Sequence, residues 1–151
     1  MHVDWVLKKF DALTPLELYA ILQLRNAVFV VEQNCVFQDA DDKDQGSYHL
    51  MGLYENTLVA YTRLLPPGYG YDVASIGRVV TAPAVRRYGV GKKLMQQSID
   101  AVYQLYGMGI IKIGAQLYLK KFYESFGFAQ TGAPYLEDGI EHIYMLKQPR
   151  S

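Results

Sequence analysis

The sequence is poor in several things that would fix its class at once. It has a single cysteine, Cys35, so no disulfide forms within the chain and no cysteine-based metal site is expected. Neither charge is in excess: fifteen Lys and Arg balance fifteen Asp and Glu. A chain of zero net charge gives no electrostatic reason to expect nucleic acid or an anionic membrane as partner. There is no N-terminal apolar run like a secretory leader, and no stretch approaches the roughly 18–20 apolar residues of a membrane span. These absences point to a cytoplasmic protein.

What the chain does have is apolar mass. Half of its 151 residues are hydrophobic and 13% are aromatic, which argues against disorder. That length suits one domain with a sizeable core and is short for two.

The clearest helix start is TPLELYAILQLRNAVF, where Thr14 can cap, Pro15 suits the first turn and Glu17 completes a capping box. Leu18, Ile21, Leu22 and Val28 continue at helical spacing. The polar stretch that follows, VEQNCVFQDADDKDQGS, predicts a loop or a short, poorly formed helix. Residues 48–54 and 57–65 read as a hairpin turning on Glu55-Asn56. PPGYGY (66–71) reads as an exposed tip, with Tyr69 and Tyr71 assigned to it. A third strand is expected over 72–81, and Pro83 helps to end it. From Gly89, the spacing of Met95, Ile99, Val102 and Tyr106 predicts a second helix. A buried strand (110–116), a short helix stopped by Gly127 and two strands near 128–133 and 140–147 complete the chain. The expected class is α+β (mixed α/β).

The stretch APAVRRYGVGKKLM (82–95) sets two glycines ahead of the second helix. A Walker A loop would need glycine at Arg86 and Ser or Thr at Lys93. A dinucleotide fingerprint beginning at Gly89 would need glycine at Leu94. Both fail. What remains is strand, short loop, helix. Unpaired N–H groups and the positive end of the dipole make a helix N-terminus an anion site, and missing Cβ atoms let a pyrophosphate come close. Arg86, Arg87, Lys92 and Lys93 put four cations within eight residues there. The plain alternative is a glycine turn with solvated charges.

RRYGVG matches the Arg/Gln-x-x-Gly-x-Gly/Ala signature of the GNAT N-acetyltransferases, between a strand and a long helix as that family requires. QLYLKKFYESFGF is similar to the family's Asn-x-x-Ala-x-x-Phe/Leu-Tyr-x-x-x-Gly-Phe helix. LRNAVFVVEQ, YHLMGLY, YTRLL, IGRVV and EDGIEHIYM extend the resemblance, to the ElaA-like branch, over about residues 5–147. The resemblance implies one domain over 1–151 with the GNAT acyl-CoA N-acyltransferase fold: a mixed, mostly antiparallel central sheet flanked by helices. It implies acetyl-CoA as acyl donor, no metal, a small-molecule amine acceptor, and leaves a homodimer open. By the same analogy the cofactor is held by Val79, Val80 and Thr81, on a strand that splays from its neighbour. The loop residues Arg86, Arg87, Tyr88, Gly89, Val90, Gly91 and Lys92 would hold it too, and so would Gln116. Three residues depart from the pattern. Arg87 stands where many relatives have glycine, which leaves backbone binding intact if φ there is ordinary. Gln116 replaces asparagine and Leu119 replaces alanine.

Acetylation of an amine needs a neutral nitrogen, a donor for the thioester oxygen and a proton for the leaving thiolate. Tyr123 can supply that proton, since a phenol with pKa about 10 stays protonated at neutral pH; the resemblance places it in this role, against the plain reading of a core-filling tyrosine. For the base, Glu32, His49 and His142 are candidates. Glu32 follows the apolar VFVV run, and its carboxylate is expected to reach a pocket or else to organise the loop. Histidine titrates near neutrality, although a lone strand histidine is more often structural. Glu32, Arg78 and His142 are the candidate substrate contacts, Arg78 as a buried cation expected to pair with a carboxylate. Asp39, Asp41, Asp42 and Asp44 form an acidic run that is either solvated or favourable to a cationic amine. Cys35 reads as a packed thiol. The competing function is a non-catalytic acyl-CoA-binding or sensing domain of the same fold.

Overall fold

The computed structural model describes residues 1–149. Its first strand, β1 (Asp4–Lys9), lies in a stretch to which the sequence pattern assigns no element. It pairs antiparallel with β2 (Tyr48–Tyr54), setting Trp5 opposite Gly52. A Cβ on Gly52 would lie 2.7 Å from the Trp5 ring, so this glycine is what lets the indole lie across the sheet.

Helix α1 (Pro15–Arg25) starts as the capping box predicts: Thr14 Oγ1 accepts from the Glu17 N–H at 3.1 Å, and the Thr14 N–H donates to Glu17 at 2.8 Å. Beyond Arg25 the chain widens into a π-helical stretch, Asn26–Glu32, which keeps Val28 buried. The hairpin of β2 and β3 (Thr57–Leu65) turns on Glu55 and Asn56, both left-handed at φ 49° and 66°. That turn carries the twist of the flanking strands.

After β3 come β4 (Ala74–Thr81), α2 (Val90–Tyr106) and β5 (Ile111–Gln116). The chain ends with α3 (Lys120–Glu124), β6 (Phe128–Glu137) and β7 (Ile140–Lys147). The seven strands form one sheet in the order β1-β2-β3-β4-β5-β7-β6, antiparallel except where β4 meets β5. Strand β6 runs four residues past the expected end at 133, so Tyr135 is a strand residue. It returns into β7 through Asp138 and Gly139, at φ 51° and 78°.

Helices α2 and α3 cover one face of the sheet. Met95, Ile99 and Val102 of α2 meet Ile113, Ala115, Ile143 and Met145 there. Each fully buried aliphatic of this kind contributes about 1.5–3 kcal/mol. Ser98 is buried without cost, because its hydroxyl meets Thr62 Oγ1 and the Leu94 carbonyl, both at 2.7 Å. Helix α1 lies on the opposite face, where Ile21 and Val28 pack on Met51, Tyr61 and Val80. Among the described residues no helix is long and apolar enough to cross a membrane.

Candidate functional site

Strands β4 and β5 pair at only two positions, Ala74 with Ile111 and Ser75 with Lys112. Beyond these they separate, which is the splay expected for the strand before the loop. A β-bulge on β4 adds to it: Tyr61 pairs with Val80 but Arg63 pairs with Gly77, leaving one extra residue on β4. Arg78 sits in that bulge at φ 51°. The opening is a cleft of about 1060 Å³ that runs through the sheet. Strand alternation divides its walls. Ile113 and Ala115 face α2 and α3, while Gly114 and Gln116 face the α1 side.

On the α2–α3 side the helix N-terminus is bare. Gly89 caps α2 at φ 74° with no side-chain cap, and the first bond in the helix runs from the Lys93 N–H to the Gly89 carbonyl at 3.2 Å. The N–H groups of Val90, Gly91 and Lys92 therefore lack helical acceptors. Gly91 lines the cleft, and a Cβ there would meet nothing closer than 3.9 Å, at Phe122. Arg87 is left-handed at φ 77°, not ordinary, which accounts physically for glycine being suited to that position. Arg87, Tyr88 and Lys92 are exposed and do not line the walls, whereas Val79, Val80, Thr81, Arg86, Gly91 and Gln116 do. The Gln116 amide donates to Gln33 at 3.2 Å.

Tyr123 lines the same cleft and is 5% exposed. Its ring packs edge-on against Phe122 and Phe128, at 5.2 and 6.2 Å between centroids. Among the described residues no group hydrogen bonds its hydroxyl. Burial, reinforced by Tyr118, pushes its pKa well above that of an ordinary phenol.

The base candidates separate in space. Glu32 lines the cleft, but its carboxylate is held by the Arg86 guanidinium, whose second nitrogen also reaches the Thr81 carbonyl. Those hydrogen bonds hold Glu32 below the usual carboxylate range. His49 does not line the cleft. It is fully buried, with Nδ1 2.6 Å from the Tyr61 hydroxyl and Nε2 2.9 Å from the Asp44 carbonyl. A carbonyl can only accept, so Nε2 carries the proton and Nδ1 accepts from Tyr61. Burial lowers the pKa of this ring and keeps it neutral. His142 does line the cleft. Its Nδ1 donates to the Ile140 carbonyl at 2.8 Å, and its Nε2 lies 3.5 Å from a Glu137 carboxylate oxygen.

Of the acidic run, Asp42 alone is solvent-exposed, and Asp41, which lines the cleft, is ion-paired. Asp39 and Asp44 are buried, and Arg25, itself 0% exposed, binds them at 2.7 and 2.8 Å. Arg63 binds Asp41 at 2.7 Å and Asp44 at 3.0 Å. Arg78 does pair with carboxylates, lying 2.9 Å from Asp39 (close but poorly aligned for a hydrogen bond) and 3.3 Å from Asp41. The charges cancel internally and pin the 33–44 segment over the cleft. Cys35 is a packed thiol, donating to the Asp138 carbonyl at 3.3 Å.

Two lining residues escape a sequence reading: Tyr71, assigned above to an exposed tip, and Tyr135. Tyr71 stands amid Gly and Pro, which look like turn composition whatever the side chain does. Tyr135 sits beyond the point where strand patterning fades.

A splayed parallel pair beside a bare, glycine-opened helix N-terminus defines an acyl-CoA transferase fold, and direct comparison agrees. A family model for the acetyltransferase (GNAT) domain matches residues 22–149, and the chain belongs to that family. It is 39% identical over 148 residues to protein ElaA of Escherichia coli, covering 97% of each chain. The crystal structure of an acyl-CoA N-acyltransferase from Pseudomonas aeruginosa superposes with TM-score 0.93 at 40% identity, covering 97% of this chain and 99% of that one. An aminoglycoside 6'-N-acetyltransferase complexed with coenzyme A shares the fold, with TM-score 0.71 at 17% identity over 97% and 99% of the two chains.

Proposed function

We propose that this chain transfers the acetyl group of acetyl-CoA to a small primary amine, by direct attack within a ternary complex. The observation that carries this reading is a cleft through the sheet, with a bare helix N-terminus and Tyr123 on one face and His142 on the other. The residues present fit the donor. The free N–H groups of Val90, Gly91 and Lys92 suit a pyrophosphate, and the absent Cβ at Gly91 leaves it room. The edge of β4 beyond Ser75 has no partner strand on the β5 side, so it can bind an extended chain.

Acetyl-CoA, when bound, supplies an acyl group activated as a thioester. Tyr123 then holds a proton at its hydroxyl for the sulfur side of that bond, and its raised pKa keeps the proton in place until it is needed. His142 offers the Nε2 lone pair to the acceptor's proton. Glu32 is ion-paired to Arg86 and His49 is buried away from the cleft, so His142, which lines it, is the better-placed base. Much of the rate gain comes from holding two reactants in one cleft. The sheet edges and the α1 and π-helical surfaces leave a homodimer open.

Thiol release from acetyl-CoA across a panel of primary amines tests the reading, wild type against Tyr123→Phe. Turnover with at least one amine, lost in the variant, supports it. Tight coenzyme A binding with no turnover on any amine would instead indicate an acyl-CoA sensor.

A further inference from the structure

Two tyrosines from different parts of the chain converge on one glycine. A Cβ built on Gly114 would stand 3.0 Å from the Tyr135 hydroxyl and 3.3 Å from the Tyr71 hydroxyl. Gly114 is on the floor of the cleft, on the face away from Tyr123. Its missing side chain is what lets two phenol oxygens hang over β5.

The rings are fixed from behind. Tyr135 stacks on Tyr144 at 4.5 Å and on His142 at 5.8 Å, and Tyr144 meets Tyr71 edge-on at 5.9 Å. Lys112 lies 4.7 and 4.5 Å over the Tyr71 and Tyr144 rings, which occupies its charge. Burial first, then Tyr144 and Glu137, push the Tyr71 phenol up to about 12. Burial and the same two neighbours raise Tyr135 as well. Both remain neutral hydroxyls, able to accept a hydrogen bond. Glu137 lines the cleft with them and faces His142.

We propose that Tyr71, Tyr135 and Glu137 form the seat for the acceptor's ammonium group, and that the acceptor is an alkylammonium with no carboxylate beside its nitrogen. This rests on the acetyltransferase reading above. An ammonium has N–H donors and no acceptor, so two phenol oxygens and a carboxylate complement it. His142 Nε2, beside Glu137, takes one proton: that N–H bond breaks, the proton joins the imidazole, and the electron pair stays on the amine nitrogen. An α-carboxylate on the acceptor finds no welcome there. Glu137, Asp138 and Glu141 crowd the β6–β7 turn. The cleft's arginines, Arg63, Arg78 and Arg86, are already ion-paired. Lys43 also lines the cleft, but it belongs to the segment after the π-helical stretch, not to this turn.

The test is a ligand-observed NMR titration of the protein saturated with coenzyme A, using n-pentylamine and its α-carboxylated counterpart norleucine. Pentylamine is expected to bind at least tenfold tighter than norleucine. Tyr71→Phe and Tyr135→Phe should each weaken pentylamine about fivefold or more, and Glu137→Gln tenfold, with coenzyme A affinity within twofold of wild type. Gly114→Ala should block pentylamine through its Cβ; should that variant misfold, the Phe variants, which remove only a hydroxyl, decide the matter. Norleucine binding as well as pentylamine, unchanged binding in the Phe variants, or no amine binding at all would overturn the seat. Pentylamine binding with this variant pattern but no thiol release with any amine would overturn the acetyltransferase reading alone.

Discussion

Arg86 and Glu32, 54 positions apart, hold each other through two hydrogen bonds of 2.5 and 2.7 Å. The pair joins the end of the π-helical stretch to the loop that precedes α2. It puts the signature arginine of that loop on a carboxylate, next to the N–H groups suited to a phosphate. Both side chains are about 40% open to solvent, at 39% and 41%, so the pair adds little to stability. Its effect falls on charge, because Glu32 cancels one of the four cations that surround the bare helix end in sequence.

Glu32→Gln should therefore change binding more than folding. We expect coenzyme A to bind about threefold to tenfold tighter in the variant at low salt, with the gain shrinking as salt screens it. Unfolding free energy should move by no more than about 0.5 kcal/mol. Calorimetric titration at two ionic strengths and a urea melt measure the two quantities. Weaker binding in the variant would mean that Glu32 orders the loop.

Tyr123 gives a pH prediction. Its pKa is raised above the usual phenol by burial, so the proton it holds is not lost where a free tyrosine would ionise. The alkaline side of the kcat profile should stay flat to about pH 10, the ordinary phenol value. Tyr123→Phe should lower kcat by about 10²-fold or more with coenzyme A affinity within twofold. A stopped assay of thiol release from pH 6 to 10 tests both.

How much of this was legible depended on whether the relevant signal was local. The capping box at Thr14 and Glu17, the Glu55-Asn56 turn and the loop through Gly89 and Gly91 each reside in a few adjacent residues, and each stands where the sequence places it. The ion-pair network joins Arg25, the Asp39–Asp44 run, Arg63 and Arg78, which come from four separate segments. No spacing rule links them, so an acidic run with buried partners reads like a solvated one. The same holds for Tyr71 and Tyr135, whose hydroxyls both approach β5 only because it carries a glycine there.

That network sets the acid limit of the fold. Burial alone would raise the pKa of Asp44, but hydrogen bonds and charge from Arg25 and Arg63 outweigh it and leave the pKa lowered from 3.8. Asp41 is lowered from 3.8 in the same way, chiefly through Arg63. A carboxylate with a depressed folded pKa adds stability that is fully present above its unfolded value and lost as pH falls through the folded one. Stability should thus be level from neutrality to about pH 5 and fall steadily below pH 4. Asp44→Ala should cost about 1–3 kcal/mol at pH 7, since it unpairs the Arg25 nitrogen that it holds while Asp39 keeps the rest of the buried guanidinium, and should flatten the acid slope. Urea melts at pH 7, 5, 4 and 3 give the comparison.

Gly91 separates a fold requirement from a binding requirement, and Gly89 is the control. Gly89 is left-handed at φ 74°, so Gly89→Ala strains the backbone by roughly 1 kcal/mol and should lower Tm. Gly91 lies in the first turn of α2, and a Cβ there meets only Phe122 at 3.9 Å and Thr81 at 4.0 Å, ordinary contact distances. Alanine and leucine both suit a helix better than glycine, by about 0.5–1 kcal/mol, so neither Gly91→Ala nor Gly91→Leu should lower Tm. Alanine is accepted at this position by the family signature, and Gly91→Ala should keep coenzyme A affinity within about threefold of wild type. The longer leucine side chain enters the cleft beside the N–H groups of Val90, Gly91 and Lys92, and coenzyme A affinity should fall at least tenfold in a protein that is no less stable. Thermal melts with and without coenzyme A read both effects in one experiment: Gly91→Leu should keep its own Tm and lose the rise that coenzyme A gives wild type. A full ligand-induced rise in that variant would mean that the helix N-terminus does not hold the pyrophosphate.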